Sequence, residues 1–118
     1  MDITPILAKG AQRINAYGAG EFKVNDQSFN HPIIVTPSHV EEWKDAAIDE
    51  SIISQLSICE ILLIGSGVKG EFLPPNLRAK IKEKSKAGVE VMDTGAACRT
   101  YNVLLAEGRQ VIAFLLPV

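Results

Sequence analysis

Short apolar runs broken by turn-forming residues occupy the first third of the chain. Phe22 and Val24 alternate with the charged Lys23, and this period of two is typical of a strand with one buried face. Glycine-rich and Asn-Asp separators, which favour tight turns, divide the neighbouring runs. The pattern predicts an N-terminal β-hairpin region with strands at 14–17, 21–24 and 27–29, followed by a buried strand at 33–35.

From residue 38 onward the pattern changes to alternating helices and strands. Ser38 and Glu41 have the spacing of a capping box, in which two side chains satisfy free backbone N–H groups at a helix start. Val40, Trp43 and Ala47 fall near helical spacing, so this segment is predicted to be a helix. The remaining runs predict a helix at 51–56, a strand at 60–64, a helix at 76–87, a strand at 89–92, a helix at 95–107 and a strand at 111–116.

Local signals mark the ends of the last two helices. Asp93 and Thr94 precede the helix at 95–107 and are suited to cap it. Gly88 and Gly108 follow the two helices, and glycine is a common residue just past a helix end. We therefore expect both helices to stop at these glycines.

The order of the elements predicts the fold class. A β-rich start followed by alternating helices and strands is typical of an α/β domain with a mixed sheet. The continuous apolar run at 61–64 is typical of a strand covered on both faces. The chain has 118 residues, which suits a single domain that spans 1–118.

Composition narrows the class of protein. Hydrophobic residues make up 47% and charged residues 22%, which excludes intrinsic disorder. The formal net charge of −2 argues against a nucleic-acid-binding domain, because such domains carry a basic excess. Cys59 and Cys98 form no CxxC pair, so neither a disulfide framework nor a zinc site is expected.

The chain start lacks targeting features, and the longest apolar run, 111–118, is too short to span a bilayer. We therefore expect a cytoplasmic protein.

Glycines at 65, 67 and 70 fit the G-x-G-x-x-G pattern after a predicted strand. A dinucleotide site also needs a helix that begins at the last glycine and aims its N–H groups at the pyrophosphate. Here residues 71–75, which include Glu71 and two prolines, intervene before any predicted helix. A tight turn at the end of a buried strand is therefore the favoured interpretation, and no cofactor is expected.

The helix predicted at 95–107 carries the densest set of polar side chains. Arg99 and Asn102 share one face, and the free N–H groups at the helix start could hold an anion. The same helix start could lower the pKa of Cys98, although a lone cysteine among alanine and leucine is more typical of inert packing. His31 and His39 have no metal-binding spacing, so no metal site is expected.

Several segments, in this order along nearly the whole chain, resemble a known family. They are 14–22, 35–37 with Trp43, 61–67, 92–97 and 100–109. The combination is similar to a family of small α/β proteins of largely unknown function. That family includes the assembly factor 3 of mitochondrial respiratory complex I and the adipogenesis-associated Mth938 domain-containing protein. The resemblance implies a three-layer fold, a central mixed sheet of about five strands and no established enzyme activity.

The resemblance also carries expectations about function. The mitochondrial relative acts as an assembly chaperone for membrane-bound complex subunits, and bacterial relatives are often encoded near protein-export genes. Two features depart from the family. Ser66 stands where threonine is common, which keeps the hydroxyl, and we expect no targeting extension before the shared region. The mitochondrial role therefore does not transfer directly.

These observations lead to the hypothesis of a non-catalytic interaction or assembly factor that aids membrane-protein-complex biogenesis. The alternative is a binding protein or cryptic enzyme that holds a small anionic ligand in a crevice at the carboxyl ends of the strands. Protein partners such as membrane-complex or protein-export components are expected, and no cofactor, metal or catalytic residue is predicted. The oligomeric state stays open. The predicted binding residues are Gly65, Ser66, Gly67, Thr94, Arg99, Tyr101 and Asn102.

Overall fold

The computed structural model describes residues 11–43, 59–67 and 75–118. These residues form eight strands and two helices. In chain order they are β1 (Ile14–Gly18), β2 (Glu21–Val24), β3 (Gln27–Phe29), β4 (Ile33–Val35), β5 (Val40–Glu42), β6 (Ile61–Gly65), α1 (Pro75–Lys84), β7 (Gly88–Met92), α2 (Thr94–Ala106) and β8 (Val111–Leu115).

The first three strands form an antiparallel sheet in the order β1-β2-β3. Phe22 and Val24 on β2 are buried, whereas Lys23 between them is exposed. The turn between β1 and β2 places Ala19 at a φ of 52°, and the next turn places Asn25 at 53°. The three strands predicted for this region are confirmed, and short turns with left-handed backbone separate them.

A mixed sheet of five strands, in the order β5-β4-β8-β6-β7, forms the centre of the molecule. β4 runs antiparallel to β5 and β8, whereas β6 runs parallel to β7 and β8. β8 lies in the middle, and all five of its residues are buried. The predicted α/β class with a mixed central sheet is therefore confirmed.

Two apolar cores cover the two faces of this sheet. Alternate residues of β8 point to opposite faces, as the pleat of a strand requires. Val111, Ala113 and Leu115 belong to the core shared with α2 and the three-stranded sheet. Ile112 and Phe114 belong to the core shared with α1. The three layers implied by the resemblance are therefore α2 with the small sheet, the five-stranded sheet, and α1.

The prediction of a helix that begins at Ser38 is wrong. This segment instead makes a turn followed by β5, which pairs antiparallel with β4. Thr36 determines the turn, because its buried hydroxyl oxygen accepts the backbone N–H groups of Ser38 at 3.2 Å and His39 at 3.1 Å. Those N–H groups are thus satisfied outside a helix, and the capping box does not form. The second stretch predicted as a helix, 51–56, lies outside the described residues.

α1 confirms the helix predicted at 76–87 but ends earlier. Leu77 and Ile81 are its buried residues and pack against the five-stranded sheet. The helix ends at Lys84, and Gly88 begins β7 instead of ending the helix. The hydroxyl of Ser85 accepts a backbone N–H two residues further on, so the chain leaves the helix without a glycine.

Candidate functional site

Both ends of α2 lie where local sequence places them. The Asp93 carboxylate accepts the backbone N–H of Ala96 at 2.9 Å and so caps the helix, as predicted. Thr94, the first helical residue, is fully buried, and Asp93 alone separates it from β7. At the other end Gly108 adopts a φ of 74°, a conformation that favours glycine after a helix.

The turn at 65–67 contacts the start of α2, as expected for the carboxyl ends of neighbouring parallel strands. The Thr94 N–H donates to the carbonyl of Gly67, and the Gly67 N–H donates to Thr94 Oγ1, both at 2.9 Å. The Thr94 hydroxyl donates in turn to the carbonyl of Leu116 at 2.8 Å. These bonds join β6, β8 and α2 at one corner of the molecule.

The polar groups of this corner bind one another. Ser66 donates its backbone N–H and its hydroxyl to the carbonyl of Met92, at 3.0 and 3.2 Å. A Cβ at Gly65 would lie 2.9 Å from a side-chain carbon of Leu115 and 3.0 Å from Thr94 Cα, so α2 packs directly on the glycine. Among the predicted binding residues, Gly65, Ser66, Gly67 and Thr94 therefore fix the position of α2.

Tyr101 and Asn102, two further residues of the predicted set, bind β1 and the residues before it. Asn102 Oδ1 accepts the Ile14 N–H at 3.0 Å, and Asn102 Nδ2 donates to the Ile14 carbonyl at 2.7 Å. Tyr101 is fully buried, and its hydroxyl donates to the Gln12 carbonyl at 2.7 Å. Burial raises the pKa of Tyr101 well above its ordinary value. Both side chains hold the three-stranded sheet against α2.

Arg99 is the exposed member of the predicted set. Its Nη1 donates to the hydroxyl oxygen of Tyr17 at 2.6 Å. The Tyr17 ring packs against Gly95, where an added Cβ would lie 3.1 Å from the ring, a close contact that the ring would have to relieve by a small shift. Sequence analysis missed Tyr17 because it lies 82 residues from Arg99 along the chain, and no local pattern links the two.

The outer face of α2 is apolar around Arg99. Val103, one turn further on, is 57% exposed, and Tyr17 is 39% exposed. They are the large hydrophobic side chains exposed in the described part of the chain. Tyrosine and arginine are enriched among the residues that dominate protein interfaces. Tyr17, Gly95, Arg99 and Val103 together are called the Tyr17–Arg99 surface below.

The two cysteines lack the properties of reactive thiols. Burial raises the pKa of Cys98 to about 12, outweighing the opposite effect of the Arg99 charge. Burial also raises the pKa of Cys59 to about 11. Because the thiolate is the nucleophilic form, these values favour packing roles. Over residues 11–43, 59–67 and 75–118, no group of three or more His, Cys, Asp or Glu side chains could hold a metal ion.

Comparison with known proteins relates this architecture to a family. Residues 14–116 match the family described as "Protein of unknown function (DUF498/DUF598)". The chain belongs to this family. The match includes the three-stranded sheet, the five-stranded sheet and both helices, and so confirms the resemblance found in the sequence.

Relatives of this DUF498/DUF598 member carry different names. One is NADH dehydrogenase (ubiquinone) 1 alpha subcomplex assembly factor 3 of Xenopus tropicalis, 32% identical over 111 residues, with 88% of this chain and 60% of that protein covered. Another is the 13 kDa major membrane protein of Francisella tularensis, 37% identical over 109 residues, with 85% of this chain and 86% of that protein covered. The chain thus spans 60% of the length of that assembly-factor relative.

Solved structures share the fold of this family member. A crystal structure titled as an outer membrane protein from Bartonella henselae has a TM-score of 0.82 and 38% identity, covering 92% of this chain and 97% of that one. A solution structure of a Mth938-like domain from Bordetella pertussis has a TM-score of 0.80 and 31% identity, covering 99% and 92%. Both values support the same three-layer arrangement.

The two helices in the described residues of this DUF498/DUF598 member are short. α1 has 10 residues and α2 has 13. Within the described ranges, no helix combines the length and the apolar character needed to cross a membrane.

Proposed function

We propose that this DUF498/DUF598 member is a protein-binding assembly factor that aids the biogenesis of membrane-protein complexes from the cytoplasm. Relatives named as complex I assembly factors support the proposal, because they match 88% or more of this chain. The matched region contains the folded domain, so a binding role of this domain is a property the relatives can share. The further expectation that the partners are membrane-complex or protein-export components belongs to the same proposal.

The Tyr17–Arg99 surface is the observation that carries this proposal. Of the predicted binding residues, Arg99 is exposed on the outer side of α2, and the others bind within the protein. Tyr17 and Val103 flank it with exposed apolar area. An arginine between apolar side chains on a firmly packed helix is typical of a protein interface.

The alternative, a small anionic ligand at the start of α2, has less support. The Asp93 carboxylate already occupies that helix end, where it accepts the N–H of Ala96. Its negative charge interacts favourably with the helix dipole and repels a second anion. The hydroxyl groups of Ser66 and Thr94 donate to backbone carbonyls, which leaves the nearby turn poorly suited to bind a ligand.

Capture from native cells in mild detergent tests the proposal. The bait is the tagged full chain, compared with Arg99→Ala and with Arg78→Ala as a matched control. Arg78 is also an exposed arginine on a helix, but it lies on α1, remote from the Tyr17–Arg99 surface. We expect membrane-complex subunits to co-purify with the wild type and Arg78→Ala and to be lost from Arg99→Ala.

The outcome against the proposal is equally specific. If the same proteins co-purify with all three baits, the Tyr17–Arg99 surface is not the binding site. If folded wild-type bait retains no membrane-complex or export subunit, the assembly role itself is wrong. Thermal unfolding of each bait confirms that the folded states are comparable.

A further inference from the structure

We propose that the Tyr17–Arg99 surface binds a partner segment that presents a carboxylate group beside an apolar side chain. The inference rests on the proposed function and specifies the chemistry of the partner. It depends on three features of the surface: an arginine without an acidic partner, a hydroxyl group that fixes it, and an apolar neighbour one turn away.

Arg99 has no acidic partner in the described part of the chain. Its hydrogen bond goes to the neutral hydroxyl of Tyr17, and no carboxylate there lies within ion-pair distance of it. Arg109 shows the contrast, because its Nε lies 2.9 Å from Glu60 Oε2. A guanidinium presents five N–H donors in a fixed fork that matches a carboxylate. Arg99 therefore retains most of its donors for a partner.

Tyr17 orients Arg99 and adds a donor of its own. Because the Tyr17 oxygen accepts from Arg99 at 2.6 Å, the hydrogen of that hydroxyl points elsewhere and can be donated. The ring packs closely against Gly95, where an added Cβ would lie 3.1 Å from it. Two donors are thus positioned before binding, which lowers the entropic cost of ordering them in a complex.

Val103 offers an exposed apolar contact for the partner next to Arg99. It lies four residues after Arg99 and is 57% exposed, so the two side chains are neighbours on the helix. Ala106, also exposed, extends this apolar strip. A segment that places Asp or Glu over Arg99 therefore brings an adjacent apolar side chain onto Val103. The charge complementarity favours a partner segment of acidic and apolar residues over a basic one.

A random peptide library of about 12 residues, a length that can cover roughly three helical turns, tests this chemistry directly. The full-length wild type, Arg99→Gln and the control Arg78→Gln serve as baits. We expect wild type and Arg78→Gln to enrich peptides with Asp or Glu within four residues of a large apolar side chain. A synthetic copy of the best peptide should bind Arg99→Gln about 10- to 100-fold more weakly, which corresponds to one lost charge-assisted contact.

One change in the peptide and one further protein variant separate the charged and the apolar contributions to binding. A peptide with Gln in place of its acidic residue should lose a similar factor toward wild type and almost nothing toward Arg99→Gln. Val103→Ala should weaken binding several-fold while leaving the acid requirement intact. Equal unfolding temperatures of wild type and variants exclude a folding effect.

Several outcomes overturn the inference while leaving the proposed function to its own capture experiment. They are enrichment of peptides without acidic residues, unchanged binding by Arg99→Gln, and no enrichment by any bait. A dimer in light scattering that Arg99→Gln dissociates would assign the surface to a second copy of this chain, and would also overturn it.

Discussion

The two helices lie on opposite faces of the five-stranded sheet and differ in what they show to solvent. α1 has five charged residues among its ten, which are Arg78, Lys80, Lys82, Glu83 and Lys84. α2 has one among thirteen, Arg99. A helix that faces water usually carries charged residues on its outer side. α1 follows this rule and α2 does not.

The two helices also differ in how firmly they are attached to the rest of the protein. α1 buries two side chains, Leu77 and Ile81. α2 buries five residues and adds the side-chain bonds of Tyr101 to Gln12, just before β1, and of Asn102 to Ile14 in β1. The helix with the least charged outer face is thus the more firmly attached one. A rigid element with a weakly hydrated face suits protein binding, because little has to be ordered or desolvated on association.

Removing the main anchor of α1 should have the largest effect on stability. Ile81 is 0% exposed, so Ile81→Ala leaves a cavity in the core of α1 and should cost about 2–5 kcal/mol. Urea unfolding followed by circular dichroism measures the change. The neighbouring Lys82→Ala, at an exposed site, should stay within about 0.5 kcal/mol. Equal costs for the two variants would show that α1 is not held by packing.

Asn102→Ala tests the polar attachment of α2. It leaves the N–H and the carbonyl of Ile14 without the partners they have now. Ile14 is 3% exposed, so we expect a loss of about 2–4 kcal/mol in the free energy of unfolding. Asn76→Ala on the exposed side of α1 is the matched control. A cost below about 0.5 kcal/mol, the size typical of neutral surface changes, would mean that water replaces the amide.

Gly65→Ala tests the packing of the 65–67 turn against α2. The added methyl group would meet the Cα of Thr94 at 3.0 Å and Ala97 Cβ at 3.1 Å, so α2 has to shift. Overpacking of this kind costs about 1–3 kcal/mol. Gly88→Ala is the control, because its Cβ would meet one carbonyl oxygen at 3.9 Å. Chemical denaturation of the pair should show a clear difference, and equal midpoints would contradict the close approach of α2.

Val103→Glu should change stability least and binding strongly. The new charge gives α2 an outer face more like that of α1, and surface substitutions usually stay within about 0.5 kcal/mol. The introduced carboxylate lies four residues from Arg99, where it can pair with the guanidinium and repel an acidic partner, so partner capture should fall as strongly as with Arg99→Ala. Thermal unfolding and capture are measured on the same preparation. Retained capture would place the interface away from α2.

Elements defined by neighbouring residues could be predicted from the sequence. Alternation around Lys23 identified β2, and the Asp93 cap and Gly108 identified the ends of α2, because each signal lies within a few residues of the element. The helix predicted at Ser38 shows the limit of such signals. The Ser38–Glu41 spacing of a capping box is present in the sequence. In the structure, however, the hydroxyl oxygen of Thr36 accepts the backbone N–H groups of Ser38 and His39 in a turn.

The binding residues could be predicted in part. Arg99 was identified because it shares one face of the predicted helix with Asn102, and its exposure in the structure keeps it in the proposed surface. Asn102 shares that face, yet its amide binds Ile14, 88 residues away. Tyr17 was not predicted as a binding residue, because its partner Arg99 is also distant along the chain. Contacts across such distances depend on how β1 lies along α2, which no local pattern contains.

The side-chain amide of Asn102 has a consequence for what this molecule can associate with. β1 is one of the two edge strands of the three-stranded sheet, and an edge strand offers unpaired main-chain groups that recruit foreign strands and seed aggregation. Asn102 supplies one acceptor and one donor to Ile14, as the peptide group of an adjoining strand would. Strand addition is blocked at that residue. For the assembly role proposed above, this favours partners that bind through side-chain contacts over partners that add a strand at that residue.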